Sequence, residues 1–362
     1  MVRLGLVGFG QQMRKHYFRY LKEREERHGD VQIGWISGYL PVDEEIVGET
    51  TCMAKPGDAW LQWIRQPDSV DAVVVSLPNS MHFEAVNSAL RCGKHVAVDK
   101  PAAIMSSEVT ELSALAYATG RMLVTMSQRR YEDLYQELAR QLEKGAVGRP
   151  FLIHYLIAHD DFGARRDPLA SERWELCMER SGGGVLMGSA YHGIDTVLWL
   201  LREGNIDLTA RSVSATWIID SVGCPEHPTE GVCNVRVTME PGPCIFSITA
   251  SRWNPDGSVD ENLKIFGPNG CIRVMRDLER KVDQRAASIT YQPKHGKLEN
   301  LGRVEWQGKR HAPLEDFVNA VAAVKKGDAY KVLSPAEDSL LTVRIIEKAY
   351  ESAARGGQEI SL

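Results

Sequence analysis

The sequence predicts an α/β protein in two parts: an N-terminal doubly wound parallel sheet over residues 1–125, then an α+β domain over residues 126–362 built on a large, mostly antiparallel open sheet. Three observations carry this reading. Strand and helix patterns alternate four times before residue 101, which is the rhythm of a parallel sheet. A glycine turn, Gly8-Phe9-Gly10-Gln11-Gln12-Met13, directly follows the first strand. Past residue 150 the chain turns to strands in series, the mark of antiparallel pairing.

Residues 2–7 form a short apolar strand, and a helical pattern follows the turn through about residue 27. The run from Lys22 to Arg27 mixes both charge signs and reads as a solvated helix face. Strand, glycine turn and helix together are the setting of the G-x-G-x-x-G fingerprint. Its first glycine makes a tight turn, and its second lets backbone approach a pyrophosphate seated on the helix N-terminus. Gly8, Phe9, Gly10, Gln11 and Gln12 are therefore expected at a dinucleotide. Met13 stands where the motif has a small residue, so the match is incomplete.

The next strand, residues 31–37, ends in Ser37 and Gly38, where a carboxylate would hold the ribose hydroxyls of NAD. Without that charge a 2′-phosphate is not repelled, yet no Arg follows at once to clamp it, so NAD and NADP both stay open. Residues 58–65 read as a short helix and 71–77 as a buried strand rich in β-branched residues. Ser76, Leu77, Pro78 and Asn79 lie at its carboxyl end, where Pro78 stops the strand. His82 then opens a helix with Ala85, Val86, Ala89 and Leu90 on one face. A further apolar strand leads into Asp99-Lys100-Pro101. Ligands of doubly wound sheets bind just beyond the strand ends, and a lysine there can act chemically.

Taken together, Pro78-Asn79-Ser80-Met81-His82, Ala89-Leu90, Gly93-Lys94-His95-Val96 and Asp99-Lys100-Pro101 resemble the signature of the glucose-fructose oxidoreductase, inositol dehydrogenase and rhizopine-catabolism (Gfo/Idh/MocA) family. Gln128-Arg129-Arg130-Tyr131 is similar to the segment that opens that family's second domain. The run from Gly182 to Asp195 resembles its glycine-rich helix start, G-G-G-x-L-x-D-x-G-x-H-x-x-D. Leu314-Glu315-Asp316-Phe317 and Ser334-Pro335-Ala336-Glu337-Asp338 extend the likeness toward the C-terminus.

The resemblance implies an N-terminal Rossmann domain and a nicotinamide-dependent dehydrogenase that moves a hydride to or from a carbinol carbon of a sugar, cyclitol or related polyol. Carried over by residue, Lys100 would sit beside the reacting hydroxyl and the nicotinamide ribose, and His192 would exchange the proton. The chemistry agrees. Alcohol oxidation releases a proton as hydride leaves, and an imidazole titrating near neutrality suits that exchange. Asp99 and Gln128 would help hold the cofactor, and Arg130, Tyr131, Tyr191 and Asp195 would face the substrate.

One departure stands out. Gly188 occupies the position of the family's Asp, four residues before His192 and on the same helical face. His192 then works unaided, or another acid such as Asp160, Asp161 or Asp195 substitutes, or the site has changed task and the protein is a non-catalytic nucleotide-binding or regulatory relative.

In the second half, residues 151–158, 212–219, 232–239, 244–251, 263–266 and 271–275 read as strands. The helix at 184–201 and helices near 313–326 and 335–354 are expected on one sheet face. The other face would stay uncovered and form a homodimer or homotetramer interface. Between residues 158 and 182 lies a long polar segment, of a kind that is usually functional. Asp160, Arg165, Arg166 and Trp174 are expected to meet substrate there, the arginines through a carboxylate or phosphate and Trp174 by stacking on a sugar face.

With 43 Lys and Arg against 48 Asp and Glu, the net charge is −5, and no basic stripe offers nucleic acid a binding face. Seven cysteines are scattered without CxxC spacing, which fits reduced thiols in the cytoplasm. Cys224-Pro225-Glu226-His227 lacks a second pair to complete a metal site, and no apolar run is long enough to span a bilayer.

Overall fold

A computed structural model describes residues 1–38, 52–54, 59–66, 69–159, 173–220, 224–254, 259–277, 286–305 and 310–362. The chain divides into two compact units, Met1–Tyr131 with Lys309–Leu340, and Glu132–Gly308 with Leu341–Leu362.

In the first unit, β1 (Val2–Val7), β2 (Val31–Gly38), β3 (Cys52–Ala54), β4 (Ala72–Val75), β5 (His95–Val98) and β6 (Leu123–Thr125) form one sheet in the order β3-β2-β1-β4-β5-β6. Every pairing in it is parallel. This is the doubly wound order, and its direction reverses between β1 and β4, which is where such sheets open a ligand crevice. β4 and β5 are fully buried, as strands covered on both faces must be. Met13 is itself core, packed with Leu4, Leu6, Phe9 and Phe18. The helix beyond the turn begins as a wide π-type stretch, Met13–Phe18, before Arg19–His28 continues as regular α-helix.

The helix Ala312–Lys326 corrects the sequence reading. It was expected on the second sheet, but Leu314, Phe317, Val318 and Val321 complete the core of the first unit beside Leu4, Val74, Ala97 and Val124. The first unit also runs to Tyr131 rather than ending at residue 125.

The second unit holds a mixed sheet in the order β14-β13-β12-β11-β7-β10-β9-β8-β15. Its strands are β7 (Leu152–His159), β8 (Thr209–Ile219), β9 (Glu230–Glu240), β10 (Cys244–Ser251), β11 (Val259–Gly267), β12 (Gly270–Asp277), β13 (Ala286–Pro293), β14 (Glu299–Glu305) and β15 (Ile360–Ser361). β7 and β10 run parallel, and the other neighbours are antiparallel. Alternation sends Ile153, Tyr155, Val235, Val237, Phe246 and Ile248 into the core. The opposite positions mix polar Asn234, Arg236, Ser247 and Thr249 with apolar Leu152, Leu156, Ile245 and Met275. The helix Tyr191–Glu203 continues a π-type stretch, Leu186–Ala190, and is buried along most of its length. No described helix is long and apolar enough to cross a membrane.

Candidate functional site

At the switch point of the first sheet, the end of β1 is tied on both sides. Gly8 N–H donates to the Ser37 carbonyl (2.8 Å), and Ser76 N–H donates to the Val7 carbonyl (2.8 Å). Gly8 has φ +85°, and a Cβ there would lie 2.2 Å from the Ser76 carbonyl oxygen. Only glycine fits. A Cβ on Gly10 would meet nothing within 4 Å, so the turn offers open backbone at the start of the helix, the arrangement that accepts a pyrophosphate. Gln11 is exposed, and Gln12 donates to the Tyr17 hydroxyl at 3.1 Å. Phe9 departs from expectation. Its ring is core, edge-on to Phe18 with centroids 5.2 Å apart, which leaves only its backbone for a ligand. Ser37 is buried at the end of β2.

Across the crevice, Asp99 accepts from Lys100 N–H (2.9 Å) and from the Ser76 hydroxyl (3.3 Å). Tyr17 is buried against the same carboxylate, and that burial with the neighbouring charge pushes its phenol well up. Lys100 is partly buried. Burial lowers its amine to about 8; Asp99 opposes the shift, and Arg129 and Arg310 add to it. Such a lysine changes charge near working pH.

Pro78 ends the strand extended, and Asn79 is buried in the single turn Asn79–Met81. Leu77 lines the crevice beside Gly8. His82 ties the strand end to the following turn. It is wholly buried, with Nδ1 2.7 Å from the Pro101 carbonyl and Nε2 2.9 Å from the Leu77 carbonyl. Burial lowers its imidazole.

Two expected substrate residues are also turned inward. Arg130 is buried and pairs with Asp338 at 2.5 Å, and its guanidinium also reaches the Leu333 carbonyl. Tyr131 donates to Asp316 at 2.7 Å and meets the Ser334 hydroxyl at 3.1 Å. Asp316 further accepts from Leu333 N–H and from the Tyr330 hydroxyl. Both residues thus fasten the returning C-terminal segment to the first unit. Gln128, at the head of their turn, stays partly exposed.

In the second unit, Gly188, Ser189 and His192 are the less buried positions near the start of a helix that is otherwise core through Val197. His192 is half-buried, its ring edge-on to Tyr191 at 6.2 Å. A Cβ on Gly188 meets nothing within 4 Å, so the missing carboxylate leaves open space. His159, at the end of β7, bonds the Ser189 hydroxyl through Nε2 at 2.7 Å; its pairing partner was not foreseeable from sequence. Tyr191 and Asp195 are buried among core residues. Trp174 is half-buried in the turn Trp174–Leu176, while Asp160, Asp161, Arg165 and Arg166 lie outside the described residues. No metal-binding group of His, Cys, Asp or Glu occurs among the described residues.

The glycine-rich start of this helix has an unanticipated partner. Glu230, fully buried, accepts from Gly184 N–H and Leu186 N–H, both at 2.8 Å, and from the Tyr350 hydroxyl at 3.0 Å. Burial raises its carboxyl, and those hydrogen bonds oppose the shift.

Sheet order, switch point and open glycine turn define a dinucleotide-binding α/β protein with a second α+β unit. Comparison with known proteins sharpens this. Residues 2–127 match the model of the oxidoreductase family with an NAD-binding Rossmann fold, and residues 135–273 match the GFO/IDH/MocA C-terminal domain. The chain belongs to the Gfo/Idh/MocA oxidoreductase family. It is 32% identical over 152 residues to 1,5-anhydro-D-fructose reductase of Ensifer adhaerens, a match spanning 42% of this chain and 44% of that protein. It is 22% identical to inositol 2-dehydrogenase of Rhizobium meliloti, over 99% of this chain and 98% of that one. Its fold is similar to the crystal structure of an inositol dehydrogenase homolog complexed with NAD+ from Azotobacter vinelandii, with TM-score 0.76, 17% identity and coverage of 100% and 97%.

Proposed function

We propose that this protein is an NAD(P)-dependent dehydrogenase acting on a carbinol or keto carbon of a sugar, cyclitol or related polyol. The observation that carries the reading is Lys100, beside Asp99 at the mouth of the crevice, with an amine lowered to about 8 by burial. A bound nicotinamide dinucleotide supplies the hydride acceptor or donor. The chain's own residues then handle charge and protons. The Gly8–Gly10 turn offers its backbone to the pyrophosphate. The Lys100 ammonium stabilises negative charge on the reacting oxygen. His192 takes the hydroxyl proton in oxidation and returns it in reduction.

The inositol- and anhydrofructose-specific names of relatives support a polyhydroxylated substrate. A homodimer or homotetramer is the assembly we expect. The reading is tested by adding NAD+, NADP+ or their reduced forms and screening sugars, ketosugars and inositols at the nicotinamide absorbance. Turnover of a polyol supports it. Tight dinucleotide binding without any turnover favours the regulatory alternative, for which the missing carboxylate at Gly188 is the supporting observation.

A further inference from the structure

A glycine-rich helix start normally advertises an anion site, because its free N–H groups and the positive end of the helix dipole face one spot. Here that spot is filled from within. Glu230 inserts its carboxylate from the first residue of β9, taking Gly184 N–H on Oε2 and Leu186 N–H on Oε1. Tyr350, its ring 5.5 Å from that of Trp217, donates to Oε1 as well. Among the described residues Glu230 has no ion-pair partner, so backbone N–H groups and one phenol hold its charge.

The glycines follow from this plug. A Cβ on Gly184 would sit 2.1 Å from the Glu230 carbonyl oxygen, and one on Gly183 would sit 1.9 Å from the Tyr350 hydroxyl. Ser181 braces the turn, its hydroxyl donating to the Gly183 carbonyl at 2.7 Å. His192 follows Leu186 by six residues, less than two helical turns. We propose that Glu230, locked by Tyr350, is a positioning residue that fixes the start of this helix and thereby the register in which His192 is presented. The proposal rests on the reading of His192 as the proton-transfer group.

The test uses Tyr350→Phe, which removes one hydrogen bond and keeps the ring, and Glu230→Gln, which keeps shape and removes charge. Amide exchange across residues 184–192 is measured on the full chain, with dinucleotide affinity as control. Kcat on a substrate from the screen is measured for each variant alone and combined with His192→Asn. The expected result is at least about tenfold faster exchange in that segment, with dinucleotide affinity unchanged. The kcat loss of about tenfold should vanish in the His192→Asn background, since residues acting through one group do not add. Unchanged exchange in both variants overturns the proposal, as does an equal kcat loss in both backgrounds. If Glu230→Gln fails to fold, Tyr350→Phe decides alone. Full activity of His192→Asn would instead sink the assignment of His192, while the exchange data still report on Glu230.

Discussion

Gly38 lies against Phe9 so closely that a Cβ on it would stand 2.7 Å from the Phe9 Cβ and 3.2 Å from the Phe9 nitrogen. The end of β2 therefore has no room for the carboxylate that would hold the ribose of NAD. Calorimetry should find NAD(H) and NADP(H) bound with affinities within about tenfold of each other, since discrimination needs either an attractive or a repulsive contact. Gly38→Asp should lower the melting temperature instead of simply conferring NAD preference. A large preference in the wild type, or a stable and NAD-selective Gly38→Asp, would contradict this.

Lys100 should be unusually reactive toward amine acylation. Its labelling, followed by mass spectrometry, is expected to rise with a midpoint at about pH 8, well below that of an ordinary lysine. The sign for catalysis is opposite. The ammonium stabilises oxyanion charge, so carbonyl reduction should slow as pH rises through about 8. Lys100→Ala should cut kcat/KM at least about 10²-fold with the fold intact. Near-normal turnover would remove Lys100 from the reaction.

Gly188 offers a direct gain-of-charge experiment, because the added side chain meets open space. Gly188→Asp places a carboxylate four residues before His192, on the same helical face. That favours imidazolium, so the ionisation governing alcohol oxidation should move to higher pH. His192→Asn should lower kcat strongly in either background. A pH profile unmoved by Gly188→Asp would show that the proton passes through another group.

Arg130 should behave as a structural residue. Asp338→Ala removes the carboxylate paired with a buried guanidinium, and losing one partner of such a pair costs on the order of 3–5 kcal/mol. Thermal stability should fall by a corresponding amount, while the substrate KM of any folded Arg130 or Asp338 variant stays near that of the wild type. A selective rise in KM without destabilisation would restore Arg130 to the substrate.

The parts of the fold that were legible are those with strong local periodicity. Buried β4, with Ala72-Val73-Val74-Val75, and the turn at Gly8 and Gly10 announce themselves because a parallel core strand is apolar without interruption. β14 is not legible, since it reads Glu-Asn-Leu-Gly-Arg-Val-Glu and has no apolar alternation, whereas β13, also absent from the strands read in the sequence, does alternate Ala287, Ile289 and Tyr291 with Ser288 and Thr290. The helix Ala312–Lys326 shows a clear apolar face, but periodicity cannot say which sheet that face meets. At the site, Arg130 and Tyr131 have the chemistry of substrate contacts; their partners Asp338 and Asp316 lie 208 and 185 residues away, beyond any local pattern. Glu230 was hidden for the same reason, being 44 and 46 residues from the amides it accepts.

The return of Ala312–Lys326 to the first core has a consequence during synthesis. Leu314, Phe317, Val318 and Val321 are the last side chains of a core that begins at Val2, so the ribosome must deliver the intervening second unit before that core can close. Until then the N-terminal strands present an unfinished apolar surface, the kind of exposure that recruits chaperones to nascent chains. The two units are thus born interleaved, and the nucleotide-binding unit waits on a helix made about 180 residues after its last strand.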